Sequence, residues 1–333
     1  MKKVLLCVIL LLTLVNCNYK NDIETTAIQA SSYIVIEQST NKILQGSNYD
    51  TQRSVASISK IMTAIIVLEN VDIYQYTIVP NEIIKVEGSS MYLKVNDKIK
   101  IKDLLYGLLL RSGNDAAITL ALTICDTIDE FVCLMNKKAE KLNMKNSFFS
   151  NPHGLDEKDN GNISTAFDMA LLYSYCLQNP IFSEIISSKN YNNYVNKNKL
   201  LKNYQYCTGG KTGYTKKAKR TLITSASKDN INLIVVTLNC GNDFQTHQNL
   251  YEHYFNNYQA IKIINKGINI FDNKEIYCNK ECYFITNQTD LSLLYQIDYS
   301  KKIINVTLLD INKRVIDYTE IGFLITNNNK SAD

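Results

Sequence analysis

No charge of one sign dominates this chain. Its 36 Lys and Arg face 32 Asp and Glu, a net charge of +4 over 333 residues. A balance so mild and evenly spread provides no basic face for nucleic acid, and no nucleic-acid partner is expected. The chain also has no Gly-rich phosphate loop and no internal repeat. Histidine is scarce, with only three in the chain, His153, His247 and His253. His247 and His253 stand six apart on a helix expected from Phe244 to Tyr258, too far around it to share a metal. His153, which follows Pro152, is expected to pack or cap.

Long apolar runs are missing as well. The stretch Val4 to Val15 behind Lys2-Lys3 is twelve residues, too short to span a bilayer comfortably. It reads as a signal segment over residues 1–17. Leu14-Val15-Asn16-Cys17 resembles a lipoprotein cleavage box with Asn16 where a small residue is expected. Both an N-terminal lipid attachment to the membrane and ordinary signal cleavage stay open. Either way export is expected, to the outer face of the cytoplasmic membrane or the cell wall. The C-terminal stretch Tyr318 to Asp333 has no sustained basic amphipathic pattern that would anchor it. The nine cysteines do not form a disulfide framework: Cys125, Cys133, Cys176, Cys207 and Cys240 sit in apolar surroundings that suit small core residues. Cys278 and Cys282 are near enough to bridge or to share a metal, but no second pair at zinc-like spacing accompanies them, so no metal is expected.

Three short motifs, in order, carry the chemistry. Ser57-Ile58-Ser59-Lys60 lies in a segment, Val55 to Val67, whose apolar residues recur at helical spacing, so Ser57 and Lys60 share one helix face. A serine hydroxyl is a weak nucleophile at neutral pH and needs a base; a Lys desolvated near other cations can be neutral enough to serve. Ser112-Gly113-Asn114 adds a hydroxyl able to relay a proton and an amide able to hold a carbonyl. Lys211-Thr212-Gly213 adds a cation and a hydroxyl. Its glycine lets an extended substrate backbone lie against a strand edge. Each string alone is common, but their order, separation and flanks together make chance a poor explanation. With Lys60 as base, a serine acyl-transfer site needs no Ser-His-Asp triad.

In these motifs the chain resembles the serine D-alanyl-D-alanine carboxypeptidases, the low-molecular-mass penicillin-binding proteins that share the motif set with serine β-lactamases. The likeness continues through Ser54 to Ala64, Asp103 to Ala117, Asn151 to Leu155 and Gly209 to Thr215. It covers about Ala30 to Tyr258. The resemblance implies that Ser57 attacks the carbonyl of the penultimate D-alanine of a peptidoglycan stem peptide while Lys60 takes its proton. Ser112 would pass a proton to the departing D-alanine, Asn114 would position the peptide, and Lys211 with Thr212 would bind the terminal carboxylate. Backbone amides of Ser57 and of Tyr214, the residue after Gly213, would form an oxyanion hole, where such donors contribute roughly 10²-fold or more to rate. A β-lactam leaves no diffusible group and is expected to block the site covalently. No cofactor is implied.

The fold so implied is α+β and β-lactamase/transpeptidase-like: a mainly antiparallel five-stranded sheet flanked by helices, with a helical subdomain inserted between early and late strands. Tyr33–Glu37 and Lys42–Leu44 read as a hairpin, and Ile101 to about Lys189 as largely helical around a loop from Asn151 to Asn162. Strands resume at Gly210–Thr215, Arg220–Ala226 and Asn232–Leu238. Residues 28–260 would be the catalytic domain and 261–333 a small β-rich domain, with strands such as Tyr283–Ile285 and Lys302–Leu308, for spacing or docking. Two local departures stand out. Asn162-Ile163 occupies a place where many relatives have a His, which bears on loop packing, and Lys219-Arg220 adds positive charge near the cleft, either for an acidic stem peptide or simply solvated. Three other readings remain. A β-lactamase would use a loop Glu, for which Glu157 before Asn160 is the candidate; a DD-endopeptidase would cut a related bond; a catalytically silent wall-binding protein would be expected to have a broken motif.

Overall fold

The computed structural model describes residues 28–156 and 161–325. The signal segment, Glu157, Asn160 and the last eight residues of the tail lie outside the described residues. Strands β1 (Ala30–Glu37) and β2 (Ile43–Ser47) form the expected hairpin; β3 (Cys207–Thr215), β4 (Lys219–Lys228) and β5 (Ile231–Cys240) come much later in the chain. They join one sheet in the order β2-β1-β5-β4-β3, antiparallel at every step.

Between β2 and β3 lie α1 (Lys60–Asn70), α2 (Ile101–Tyr106), α3 (Asn114–Ile124), α4 (Ile128–Lys141), α5 (Ala166–Cys176), α6 (Pro180–Ser187) and the short α7 (Leu200–Asn203); α8 (Asp243–Asn257) follows β5. Threonine side chains start two of these helices. Thr127 Oγ1 accepts from the Glu130 amide at 3.2 Å and Thr165 Oγ1 from the Asp168 amide at 3.0 Å, each satisfying a donor the first turn leaves open.

Strand alternation explains why the sheet is covered twice. Ile34 and Ile36 of β1 pack into the core shared with α1, α3 and α5, while Tyr33 and Val35 face the core under α8. Helix α1 is buried from Lys60 to Val67 and so has no solvated face over that stretch. Helix α4 is amphipathic, turning Phe131, Met135 and Ala139 inward. Cys133 is exposed, which corrects its expected place in the core: it sits two residues from Phe131, about 200° around the helix. Cys176 and Cys240 are buried, and Cys125 and Cys207 half-buried.

After α8 come β6 (Gln259–Ile264), β7 (Gly267–Phe271), β8 (Lys274–Cys278), β9 (Cys282–Thr286), β10 (Ser292–Asp298), β11 (Ile303–Leu309), β12 (Val315–Gly322) and β13 (Leu324–Ile325). They form three small sheets around a core that includes Ile276, Phe284, Ile304 and Val306, with Cys278 and Cys282 buried there as free thiols. In β9 the alternate residues Tyr283 and Ile285 turn the other way, into the core under α8.

Candidate active site

Ser57 lies in a 3₁₀ turn, Ala56–Ser59, that runs directly into α1. The helical segment expected from Val55 thus begins one residue later and with a tighter turn. The difference matters, because residues three apart eclipse in a 3₁₀ helix, and Ser57 Oγ and Lys60 Nζ stand 3.0 Å apart. Ala56, just before Ser57, has φ +50°, an unusual conformation for a residue with a Cβ. The surroundings hold it there. Thr221 Oγ1 on β4 donates to the Val55 carbonyl at 3.0 Å, and Ser59 Oγ donates to the Ala56 carbonyl at 2.9 Å.

Lys60 is fully buried, and its Nζ also meets Asn114 Oδ1 at 2.7 Å and the backbone carbonyl of His153. Burial pushes its pKa well below that of a free lysine; the nearby cations Lys211 and Lys197 push the same way, against a smaller opposing pull from Asp115. A neutral amine has two N–H bonds and one lone pair. A neutral Lys60 would spend both N–H bonds on Asn114 Oδ1 and the His153 carbonyl and keep its lone pair for the Ser57 hydroxyl.

Ser112 closes a π-helical turn, Gly107–Arg111, in a left-handed conformation with φ +68°, and Gly113 then starts α3 with Asn114 as its first residue. Asn114 is fixed at both ends of its amide. Its Nδ2 donates to the Glu87 carbonyl at 2.6 Å while its Oδ1 faces Lys60. The buried carboxylate of Asp115 gathers the Ser90 hydroxyl and the amides of Met91 and Leu93, tying that loop to α3.

Lys211, Thr212, Gly213 and Tyr214 lie on β3, the edge strand, paired with Ile223, Leu222, Thr221 and Arg220 of β4. Lys211 is buried with Nζ 3.0 Å from Ser112 Oγ and 2.7 Å from the Thr212 carbonyl. Its pKa is also well lowered, by burial and then by Lys197. A Cβ on Gly213 would stand 2.4 Å from Thr221 Oγ1 and 3.0 Å from the Ser57 amide nitrogen, so glycine is what lets the strand pass this close to the Ser57 N–H. The Tyr214 side chain is exposed.

The motif residues therefore converge: Ser57 with Lys60, Lys60 with Asn114, Ser112 with Lys211, and Gly213 against the Ser57 amide. Several participants were not singled out for the site. The His153 ring caps its own loop, its Nδ1 accepting from the Leu155 amide at 3.2 Å, while its carbonyl contacts Lys60. Burial lowers the His153 pKa to about 3, with Lys60 adding to the effect. Asn162, one of the local departures, is the hub of the loop. Its Oδ1 accepts from the amides of Ser150 and Asn151, and its Nδ2 donates to Ser59 Oγ at 2.8 Å and to the Asn151 carbonyl. Lys197 donates to Ser89 Oγ at 2.9 Å and is the third cation of the cluster. The Asn-Pro-His-Gly-Leu string marked the His153 loop, whereas nothing in the sequence marked Lys197. Arg220 is paired rather than free for substrate: its guanidinium forks onto Asp243 at 2.6 and 3.1 Å while much of the side chain stays in solvent.

Comparison with known proteins agrees with this geometry. The sequence profile of peptidase S11, D-alanyl-D-alanine carboxypeptidase, matches residues 19–242. D-alanyl-D-alanine carboxypeptidase DacF of Bacillus subtilis is 34% identical over 226 residues, 63% of this chain and 57% of that protein. DacD of Salmonella typhimurium is 30% identical over 79% of this chain and 72% of its own length. Among solved structures, penicillin binding protein 6B from Escherichia coli superposes with a TM-score of 0.74 at 26% identity, covering 91% of this chain and 98% of that one. Penicillin binding protein 5 from Haemophilus influenzae, at 24% identity and a TM-score of 0.79, shares the fold. With the Ser57 turn, the Ser112-Gly113-Asn114 turn and the Lys211-Thr212-Gly213 edge strand brought together, the chain belongs to the peptidase S11 family of D-alanyl-D-alanine carboxypeptidases.

Proposed function

We propose that this chain removes the terminal D-alanine from peptidoglycan stem peptides through an acyl-enzyme on Ser57. The observation that carries the reading is the 3.0 Å contact between Ser57 Oγ and a buried Lys60 whose pKa is well lowered. Ser57 Oγ attacks the carbonyl of the penultimate D-alanine and Lys60 Nζ accepts the hydroxyl proton. The developing oxyanion is held by the backbone N–H groups of Ser57 and Tyr214. When the tetrahedral adduct collapses, its C–N bond breaks and Ser112 passes a proton to the departing amine. Water then hydrolyses the ester, releasing the shortened peptide and restoring the Ser57 hydroxyl.

Lys211 and Thr212 bind the substrate's terminal carboxylate. Burial and Lys197 lower the Lys211 pKa in the free site, and an arriving carboxylate would favour its charged form. This requirement for a free carboxylate favours the carboxypeptidase over the endopeptidase. A β-lactam would acylate Ser57 and stay. The enzyme would act outside the cytoplasmic membrane, delivered by residues 1–17, with attachment at Cys17 or release after cleavage.

The test is release of free D-alanine from a peptide ending in D-Ala-D-Ala, with labelled penicillin as a second probe of Ser57. The wild-type protein is expected to release D-alanine and to take up label, and Ser57→Ala to do neither. Cleavage only of cross-linked dimers would move the assignment to an endopeptidase, and rapid turnover of penicillin to a lactamase.

A further inference from the structure

Apart from the Ser57 site, the chain builds a concave basic and aromatic groove. A two-stranded hairpin pairs Tyr76–Ile78 with Lys98–Lys100, and its inner residue Ile99 packs against a small apolar cluster that includes Val79 and Ile118. The pairing puts Tyr76 beside Lys100 on the outer face. Tyr74, Tyr76, Lys98, Lys100, Lys102 and Tyr191, with Asp103 as the one acid among them, line a cleft of about 420 Å³. Tyr74 and Tyr76 are 65% and 53% exposed.

The charges in this groove are poorly balanced. Lys98 and Lys100 both stand over the one Tyr76 ring, at 5.2 and 5.5 Å from its centroid, and Lys102 stands 5.8 Å from that of Tyr74. The nearby acids are already engaged: Asp103 accepts from the Tyr191 hydroxyl at 2.6 Å, and Glu184 from Tyr106, with Lys102 at 3.6 Å. Among the described residues neither Lys98 nor Lys100 has a carboxylate within ion-pair distance. Two ammonium groups converging on one exposed ring repel each other, and a cation–π contact at such a site offsets little of that. An anion between them collects both, and lysine suits phosphate as a point charge.

We propose that this groove is a binding site for a phosphate-bearing saccharide polymer: the lysines take the phosphodiester and the Tyr74 and Tyr76 rings take the apolar faces of the sugars. A lipid surface fits less well, because membrane-lying elements present a convex apolar face to the acyl boundary and these rings line a concavity. The inference rests on the extracytoplasmic reading of the enzyme only for where such a polymer is met. Its test does not depend on catalysis.

Binding of the full chain would be measured to a phosphodiester-linked N-acetylglucosamine oligomer, the neutral oligomer of equal length, inorganic polyphosphate and anionic phospholipid vesicles. The phosphodiester oligomer should bind at least about tenfold more tightly than either the neutral oligomer or polyphosphate, and Lys98→Gln/Lys100→Gln should lose about tenfold or more of that affinity. Tyr76→Ala should also weaken it. All variants should release D-alanine from a soluble peptide at the wild-type rate, so a failure of the carboxypeptidase assignment would show separately. Equal binding by wild type and the double variant would overturn the site. Polyphosphate binding as tightly as the oligomer would reduce it to an anion patch and overturn the saccharide assignment. Variant-sensitive binding to vesicles alone would replace the polymer with a membrane.

Discussion

Among the described residues Lys60 Nζ has three hydrogen-bond partners, Ser57 Oγ, Asn114 Oδ1 and the His153 carbonyl, and no carboxylate is one of them. Its lowered pKa therefore comes from burial and from the cations around it. Lys60→Arg would keep a charge that cannot be removed, so labelling of Ser57 by penicillin should slow by about 10²–10⁴-fold, the usual contribution of a general base. In the wild-type protein acylation should fall as the pH drops through the Lys60 pKa. Lys197→Met removes one repelling cation, which favours protonated Lys60 and raises that pKa. The acid limb of the pH–rate profile should then move to higher pH. A limb that stays in place in this variant would mean that Lys197 does not tune the base.

Elements, rather than single residues, set the distances. Gly213→Ala would press a methyl into Thr221 Oγ1 and towards the Ser57 amide, forcing β3 off the nucleophile turn. Acylation should drop by roughly 10²-fold, the scale of a lost oxyanion donor, with little change in circular dichroism. Asn162→Ala would leave the amides of Ser150 and Asn151 without their acceptor and take one of two partners from Ser59 Oγ, destabilising the fold by about 2–3 kcal/mol in urea unfolding. Helix α8 carries a pH dependence of its own. His247 is buried between Thr224 Oγ1 at 2.7 Å and Thr237 Oγ1 at 3.0 Å, and burial lowers its pKa from 6.5 to about 3. The unfolded chain binds that proton first, so stability should be full above pH 6.5 and decline as pH falls towards 3. His247→Gln should flatten part of the decline, with His153 and His253, both lowered by burial, contributing to the rest.

Across the whole molecule, the strands after α8 are fastened to the catalytic sheet at the turn between β1 and β2. Lys42 pairs with Asp317 of β12, the Ser39 carbonyl accepts from Lys280, and the Tyr283 amide donates to Ser39 Oγ at 3.3 Å. Glu37 holds the turn in shape by accepting from the amides and hydroxyls of Ser39 and Thr40. Asp317→Asn should weaken the fastening by about 1 kcal/mol. Faster amide exchange at residues 39–42 would report it, with D-alanine release from a soluble peptide unchanged. Protection equal to wild type would mean that the ion pair adds nothing to the junction.

The sequence by itself determined which side chains could do the chemistry. A nucleophile with a base three residues on, a hydroxyl with an amide two residues on, and a Lys-Thr-Gly string are local patterns, and acyl transfer constrains residue type at such spacings. The hairpin, the buried late strands and the helical insertion were legible for a similar reason, since apolar periodicity and turn residues are also local. Tertiary structure alone decided what lies across the gaps. That Lys197 approaches Lys60 and Lys211, that the His153 carbonyl and not its ring enters the site, that Asn162 holds the loop, and that Arg220 is spent on Asp243 all depend on segments far apart in the chain. Burial is the physical reason the difference matters. It sets the pKa of both site lysines, and it is a property of everything packed around them, which no short string of residues contains.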